Sequence, residues 1–230
     1  MIISHRHRFI YLKTIKTASS SVEAALSQLC GPDDVITPAV TEVMAVRTGR
    51  PAQNYRLDHP LVPKRPLWRR LLRRPERSYH PSVGYYEHMP AWRVMQYVGP
   101  EIWQTYFTFT FERNPWDRQV SYYHFKQRNK DTPISFETFL KKKRSSFVPN
   151  FEIYTVDGKP CVDFVGSYER IEDDFDLALE SIGLKGAVRL PSLNVSRGRS
   201  RCYKPYYDDG TRALIGAWYE PEISAFGYEF

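Results

Sequence analysis

The stretch RFIYLKTIKTASSSVEAAL, Arg8 to Leu26, decides the fold. Phe9-Ile10-Tyr11-Leu12 is a β-branched and aromatic run that reads as a buried strand. Lys16-Thr17-Ala18-Ser19-Ser20-Ser21 follows as a short hydroxyl-rich turn. Val22, Ala25, Leu26 and Leu29 then recur at i, i+3, i+4 and i+7, one apolar face of a helix. Ser20 and Glu23 have the S-x-x-E spacing of a capping box, and Gly31-Pro32 ends the helix. Strand, turn and helix in this order is the layout of a phosphate-binding loop, the alternative being serines that only cap a helix beside a solvated lysine. Backbone N–H groups at a helix N-terminus, with the positive end of the helix dipole, hold anions. Three serine hydroxyls and the Lys16 charge add to that. The pattern is not G-x-x-x-x-G-K-[ST]: the turn has no glycine, and its lysine comes first. The loop therefore points to an anion other than a nucleotide triphosphate.

Working outward, residues 32–66 are proline-rich and aperiodic, part of a long excursion over 32–89. Within it, PLWRRLLRRPER, Pro66 to Arg77, reads as a short basic amphipathic helix with Trp68, Leu71 and Leu72 on its apolar side. A helix is predicted from Pro90 through Val94, Met95 and Val98, stopping at Gly99-Pro100. YFTFTF, Tyr106 to Phe111, alternates aromatic with threonine and is the clearest strand of the chain. Asn114 as N-cap and Pro115 as first helical residue open a helix running to about Arg128. Another helix is expected near Ser135–Lys142. Asp157-Gly158 marks a hairpin whose second strand is read as Val162 to Tyr168. Phe175, Ala178, Leu179 and Ile182 mark a further helix closed by Gly183, and a last helix pair runs from Asp208 to about Phe226, broken at Pro221. Strands alternating with helices predict an α/β fold: three layers, a mostly parallel central sheet and helices on both faces.

The second chemical site is ERNPWDRQVSYY, Glu112 to Tyr123. An arginine at the C-terminal end of a buried strand is well placed for a ligand, because open α/β sheets bind ligands beyond those ends. The Arg113 guanidinium matches a phosphate, and Ser121 follows eight residues later, two helical turns on. Arg113 can equally pair with Asp117. Beside the first loop, the pair describes two anion sites on neighbouring strand ends, suited to a nucleoside with phosphate groups at both ends.

Composition bounds the partners. The chain has 230 residues, 42% of them hydrophobic, enough for one domain, 1–230, with a sizeable core. Lys and Arg number 33 against 26 Asp and Glu, a net charge of +7 that favours anionic partners. The start, MIISHRHRF, has no apolar signal region and no stretch approaches 18 apolar residues, so a cytoplasmic location without a transmembrane helix is expected. Cys30, Cys161 and Cys202 lack C-x-x-C spacing, which fits a reduced compartment and no cysteine-based metal site.

These motifs together resemble the PAPS-dependent sulfotransferases, especially their carbohydrate-type and bacterial branches, with a P-loop-NTPase-like fold. Ile15-Lys16-Thr17-Ala18-Ser19-Ser20-Ser21 is similar to the family's P-K-T-[AG]-[GS]-[ST]-[ST], with Ile15 for the usual proline and Ser19 for the usual glycine. Arg113-Asn114-Pro115 with Ser121 matches its R-[ND]-P…S motif. GSYERIEDDFDLALESIGL resembles its Y-E-D-L segment, and PYYDDGTRALIGAWYEPEISAFGYEF its C-terminus. The resemblance implies PAPS as co-substrate, PAP as product and no metal. Lys16, Thr17, Ala18, Ser19, Ser20 and Ser21 would hold the 5′-phosphosulfate, with Lys16 near the leaving bridging oxygen. Arg113 and Ser121 would hold the 3′-phosphate, Tyr168 would lie against the adenine, and Arg197 or Arg199 would close over the 3′-phosphate unless NVSRGRSR is a solvated loop. Sulfuryl transfer needs no Mg²⁺ clamp, and no acidic metal-binding segment adjoins either motif.

For the base that deprotonates the acceptor hydroxyl, the resemblance points to His88, in GYYEHMPAW. Histidine titrates near neutrality, and a helix beginning at Pro90 would keep the ring neutral through its dipole. Glu87 is the rival next door, and Glu23 and His124 are remoter candidates. The expected acceptor is a small molecule or glycan, with Trp68, Tyr79, Tyr85, Tyr86 and Trp92 as a stacking wall or as core; nucleic acid is not expected. The basic segment 64–77 either touches an anionic acceptor or membrane surface, or is a solvated face. The competing readings are a kinase-like enzyme using ATP and a non-catalytic polyanion-binding protein.

Overall fold

A computed structural model describes residues 1–38, 50–64, 81–191 and 202–230. Its strands are β1 (Ile2–Ser4), β2 (Phe9–Tyr11), β3 (Val35–Ile36), β4 (Phe107–Glu112), β5 (Thr155–Val156), β6 (Lys159–Pro160) and β7 (Phe164–Ser167). Its helices are α1 (Ser19–Ser27), α2 (Ala91–Thr105), α3 (Pro115–Gln127), α4 (Phe136–Leu140), α5 (Lys143–Ser146), α6 (Phe151–Tyr154), α7 (Ile171–Ser181), α8 (Asp209–Trp218) and α9 (Glu220–Phe226).

The central sheet has the order β3-β1-β2-β4-β7. Alternation along the strands divides its two faces. Ile2, Phe9, Tyr11, Phe109 and Phe111 pack against Val22, Ala25 and Leu26 of α1 and Phe175, Ala178 and Leu179 of α7. Ile3, Ile10 and Leu12 point the other way, toward Ala91, Val94 and Tyr97 of α2 and Ile153 and Tyr154 of α6. Helices thus cover both faces, as the sequence predicts. Beyond the strand ends, α3, α4 and α8 share an aromatic cluster around Trp116, Phe136 and Phe139.

The sheet is mixed. β2–β4 and β4–β7 pair in parallel, while β1 pairs antiparallel with both β2 and β3. The parallel half is the one the alternating pattern announces. The antiparallel half comes from β1 and β3, which are too short to show a periodicity. β3 lies inside the expected excursion, and Val83, Tyr85 and Met89 from the same segment are buried, so that region returns to the core.

Several boundaries differ from expectation for local reasons. The α1 capping box does not form: Ala18 is the N-cap, with no side-chain bond, and Glu23 is buried elsewhere. α2 does not stop at Gly99-Pro100 but breaks there, Gly99 taking φ 80°, and resumes to Thr105. The hairpin around Asp157-Gly158 closes on Lys159–Pro160, an exposed two-residue arm. The strand expected as its partner, β7, belongs instead to the central sheet beside β4. Gly166 is required there, because a Cβ would meet the Phe111 ring at 2.5 Å. Asn114 does cap α3, accepting from the Trp116 N–H at 3.1 Å. The last break falls at Tyr219, with Pro221 in the first turn of α9. The basic helix read over 66–77 lies outside the described residues.

Candidate active site

β2 and β4 run side by side in parallel, so their C-terminal ends open onto the same edge of the sheet. The loop after β2 carries Lys16, and the turn after β4 carries Arg113. The two touch: the Arg113 Nη1 donates to the Lys16 carbonyl at 3.0 Å. Two segments 97 residues apart in sequence thereby become one site.

The loop has no glycine, yet it takes glycine-like geometry. Lys16 has φ 65° and Ala18 φ 55°, both left-handed. Such backbone costs about 1–2 kcal/mol per non-glycine residue and persists only when its surroundings enforce it. Alternating left-handed residues turn successive N–H groups into an anion-binding concavity. The loop delivers them to the start of α1, whose first turn bears no acidic side chain. Ser19, Ser20 and Ser21 occupy that turn, and none caps the helix. The Lys16 ammonium lies 4.8 Å from the centre of the Phe125 ring of α3.

Two tertiary contacts brace the loop. Thr14 Oγ1 donates to the Phe111 carbonyl at 2.5 Å and lies 2.8 Å from Thr17 Oγ1. Asn150 reaches across from the N-cap of α6, accepting from the Ile15 N–H at 2.8 Å and donating to the Ile15 carbonyl at 3.0 Å. Its Nδ2 also donates to Glu112 Oε1 at 3.1 Å.

Arg113 is only 4% exposed. Its Nε donates to Asp117 Oδ2 at 2.7 Å and its Nη2 to the same oxygen, so the structural ion pair anticipated as an alternative does form. The guanidinium also stacks on Tyr168, 3.7 Å from the ring centre. Burial pushes its pKa down to about 10, which leaves it charged at neutral pH. Ser121 is buried on α3, two turns beyond Arg113. Thus Lys16, the serines, Arg113 and Tyr168 gather at adjoining strand ends, with Ser121 two turns along the following helix, while Arg197 and Arg199 lie outside the described residues.

A buried charge chain borders the loop on its other side. Lys13 Nζ donates to Glu23 Oε2 at 2.7 Å and to Glu87. Burial alone would lower the Lys13 pKa, but the two carboxylates outweigh it and raise it. Burial would raise Glu87, yet Lys13 and then His88 hold it below the ordinary carboxylate value. Glu23 also accepts from the Met1 amino group at 2.8 Å. Its expected capping role is thus replaced by charge pairing.

His88 lies 2.8 Å from the Lys13 carbonyl through Nδ1. A carbonyl only accepts, so Nδ1 carries the proton and Nε2 is the basic nitrogen. The ring is 31% exposed, and Nε2 stands 3.8 Å from Glu87. Burial, opposed by Glu87, lowers the pKa to about 4, so the imidazole is neutral across the physiological range. Burial replaces the helix dipole as the principal cause. His124 is turned elsewhere, its Nε2 2.7 Å from the Tyr206 hydroxyl.

Sequence reasoning missed Lys13, Glu112 and Asn150. Lys13 carried a signal, a charge immediately after a buried strand. Asn150 carried none, because its partner is 135 residues away.

A family model described as the sulfotransferase family matches residues 1–156, which include the loop, His88, Arg113 and Asn150. The chain belongs to the sulfotransferase family. This sulfotransferase is 39% identical over 100 residues to an uncharacterized protein of Archaeoglobus fulgidus, a match covering 42% of this chain and 83% of the relative. Two solved structures are also similar in outline. One is retinol dehydratase in complex with androsterone and the inactive cofactor PAP, at 13% identity and TM-score 0.44, and the other retinol dehydratase with retinol and PAP, at 13% and 0.45. Each match covers 99% of this sulfotransferase and 84% of the neighbour. Among the described residues, no group of His, Cys, Asp and Glu is arranged to hold a metal, and no helix is long and apolar enough to cross a membrane.

Proposed function

We propose that this sulfotransferase uses PAPS as donor and transfers its sulfuryl group to a hydroxyl of a carbohydrate or glycoconjugate, as a single domain in the cytoplasm. The observation that carries the donor assignment is the 3.0 Å contact between Arg113 and the Lys16 carbonyl. It joins two cationic sites at neighbouring strand ends, matching a nucleotide phosphorylated on both sides. PAPS supplies the activated sulfuryl group. The loop N–H groups of 16–20 and the Lys16 ammonium neutralise the phosphate as it leaves. Arg113 and Ser121 bind the 3′-phosphate, which sets PAPS apart from ATP. Tyr168, on which Arg113 stacks, lies against the adenine.

His88 takes the acceptor proton on Nε2. Its Nδ1–H is committed to the Lys13 carbonyl, which orients the ring and stabilises the imidazolium once the proton arrives. Glu87 is less suited to the role, because its carboxylate is engaged by Lys13. Of the aromatic residues expected to stack on a sugar, Trp92 and Tyr86 support the reading: Trp92 is 42% exposed, with the Arg93 guanidinium 4.7 Å from its ring centre, and Arg93 donates to the Tyr86 hydroxyl at 3.2 Å. Tyr85, by contrast, is core, and Trp68 and Tyr79 lie outside the described residues.

The test is transfer of label from PAPS to a panel of glycans, phenols and lipids, alongside thermal shift with PAP, ATP and heparin. Sulfated glycan and selective stabilisation by PAP are expected, about 2.7 kcal/mol at a hundred times the dissociation constant. Stabilisation by ATP alone would favour a kinase, and by heparin alone a polyanion-binding protein.

A further inference from the structure

We infer that Asn150 is a positioning residue for the transfer, fixing the peptide that presents Lys16. The inference rests on the sulfuryl-transfer reading above.

Asn150 stands at the N-cap of α6, where asparagine ordinarily accepts a hydrogen bond from its own helix. Here it forms no cap. Its side chain, 0% exposed, turns to the loop and holds both polar groups of Ile15. The assignment of oxygen and nitrogen is fixed by the partners. With the amide reversed, Oδ1 would face the Ile15 carbonyl and the Glu112 carboxylate, and no donor would be left for them.

The consequence for Lys16 follows from peptide planarity. The Ile15 carbonyl and the Lys16 N–H belong to one trans peptide and point in opposite directions. Holding the carbonyl against Asn150 therefore turns the Lys16 N–H away from it. Holding the Ile15 N–H as well fixes the preceding peptide plane, so the chain enters the left-handed Lys16 in one orientation. The other end of the clamp is rigid. Glu112 accepts from the Arg113 N–H at 2.9 Å, from Arg118 Nη1 at 2.6 Å and from the Tyr154 hydroxyl at 3.1 Å. Arg118 continues to Glu222 of α9. This amide thus joins Thr14 Oγ1 and Arg113 Nη1 in tying the loop to the end of β4, from which Arg113 projects, and it holds both polar groups of the residue before Lys16.

The test compares wild type, Asn150→Ala, Ile15→Pro and the double variant, at a temperature where all are folded. Ile15→Pro deletes the N–H that donates to Asn150 and fixes φ at residue 15, while leaving the bond from Asn150 to the Ile15 carbonyl in place. Asn150→Ala is expected to lower kcat about ten- to a hundredfold, the scale of a 1 Å misplacement, with the acceptor KM unchanged. The double variant should fall no more than about twofold below Asn150→Ala, because that change already removes the one bond that Ile15→Pro deletes. Amide exchange at Ile15 and Lys16 should quicken in Asn150→Ala. A lowered melting temperature with unchanged kcat, or multiplicative losses in the double variant, would overturn the inference. If wild type transfers nothing from PAPS, the functional reading fails, but exchange still decides the clamp: unaltered Ile15 exchange rejects it. If Asn150→Ala does not fold, Asn150→Ser, too short to hold both Ile15 groups but a good cap for α6, takes its place, and full kcat there overturns the inference.

Discussion

The pH dependence of transfer is where the site geometry makes its most demanding prediction. If Nε2 of His88 takes the acceptor proton, only the neutral ring is active, and the rate falls as pH drops through its folded pKa. Burial places that value at about 4 instead of the usual 6.5. At pH 5.5 a ring of pKa about 4 is roughly 97% neutral, against roughly 9% for an unperturbed histidine. Wild-type kcat/KM should therefore change little between pH 7.5 and 5.5, where an ordinary histidine would cost about tenfold. His88→Ala should lower kcat by about 10²–10⁴ with PAP affinity intact. Stability provides an independent check with a defined sign. The folded pKa is depressed, so the unfolded chain binds the proton more readily, and stability is lost as pH falls from 6.5 toward 4. In His88→Ala that part of the slope should disappear from urea titrations at pH 4.5 and 7. An acid limb near 6.5 would refute the lowered pKa, and full activity in His88→Ala with loss in Glu87→Ala would move the role to the carboxylate.

Other perturbations follow from the same geometry. Arg113→Ala should weaken PAP by about ten- to a hundredfold in calorimetry, the 1.5–3 kcal/mol of a charged hydrogen bond; wild-type affinity would reject the 3′-phosphate site. Because Arg113 also ties down Lys16 and Asp117, this variant should loosen the loop too, visible as faster amide exchange at Lys16. Lys16→Ala should reduce kcat more than PAP affinity, since charge develops beside it only in the transition state; equal losses would count against a leaving-group role. Arg118→Met should cost about 3–5 kcal/mol in denaturant unfolding, because Glu112 and Glu222 would remain buried without their shared cation; a change below 1 kcal/mol would show that they protonate without penalty.

What the sequence alone determined was local and periodic. The run Phe9–Leu12, the alternation at 106–111 and the apolar stripe of Val22, Ala25 and Leu26 each announce an element, because burial of one face imposes a period of 2 or 3.6 residues. Order along the chain then implied helices on both sides of a sheet, and motif spacing named Lys16, the serines, Arg113 and Ser121. Tertiary structure decided the rest. It gave Glu23 to Lys13 instead of a capping box, because a buried charge needs a partner more than a helix end needs a cap. It supplied the antiparallel strands Ile2–Ser4 and Val35–Ile36, whose pairing depends on neighbours and not on pattern. It bonded His88 Nδ1 to the Lys13 carbonyl and paired Glu87 with the Lys13 ammonium, contacts that no spacing encodes. And it allowed a loop without glycine to hold two left-handed residues, since Asn150 and Arg113 grip its backbone from distant parts of the chain. A sequence pattern records what each residue prefers; only the folded chain settles which preferences are met together.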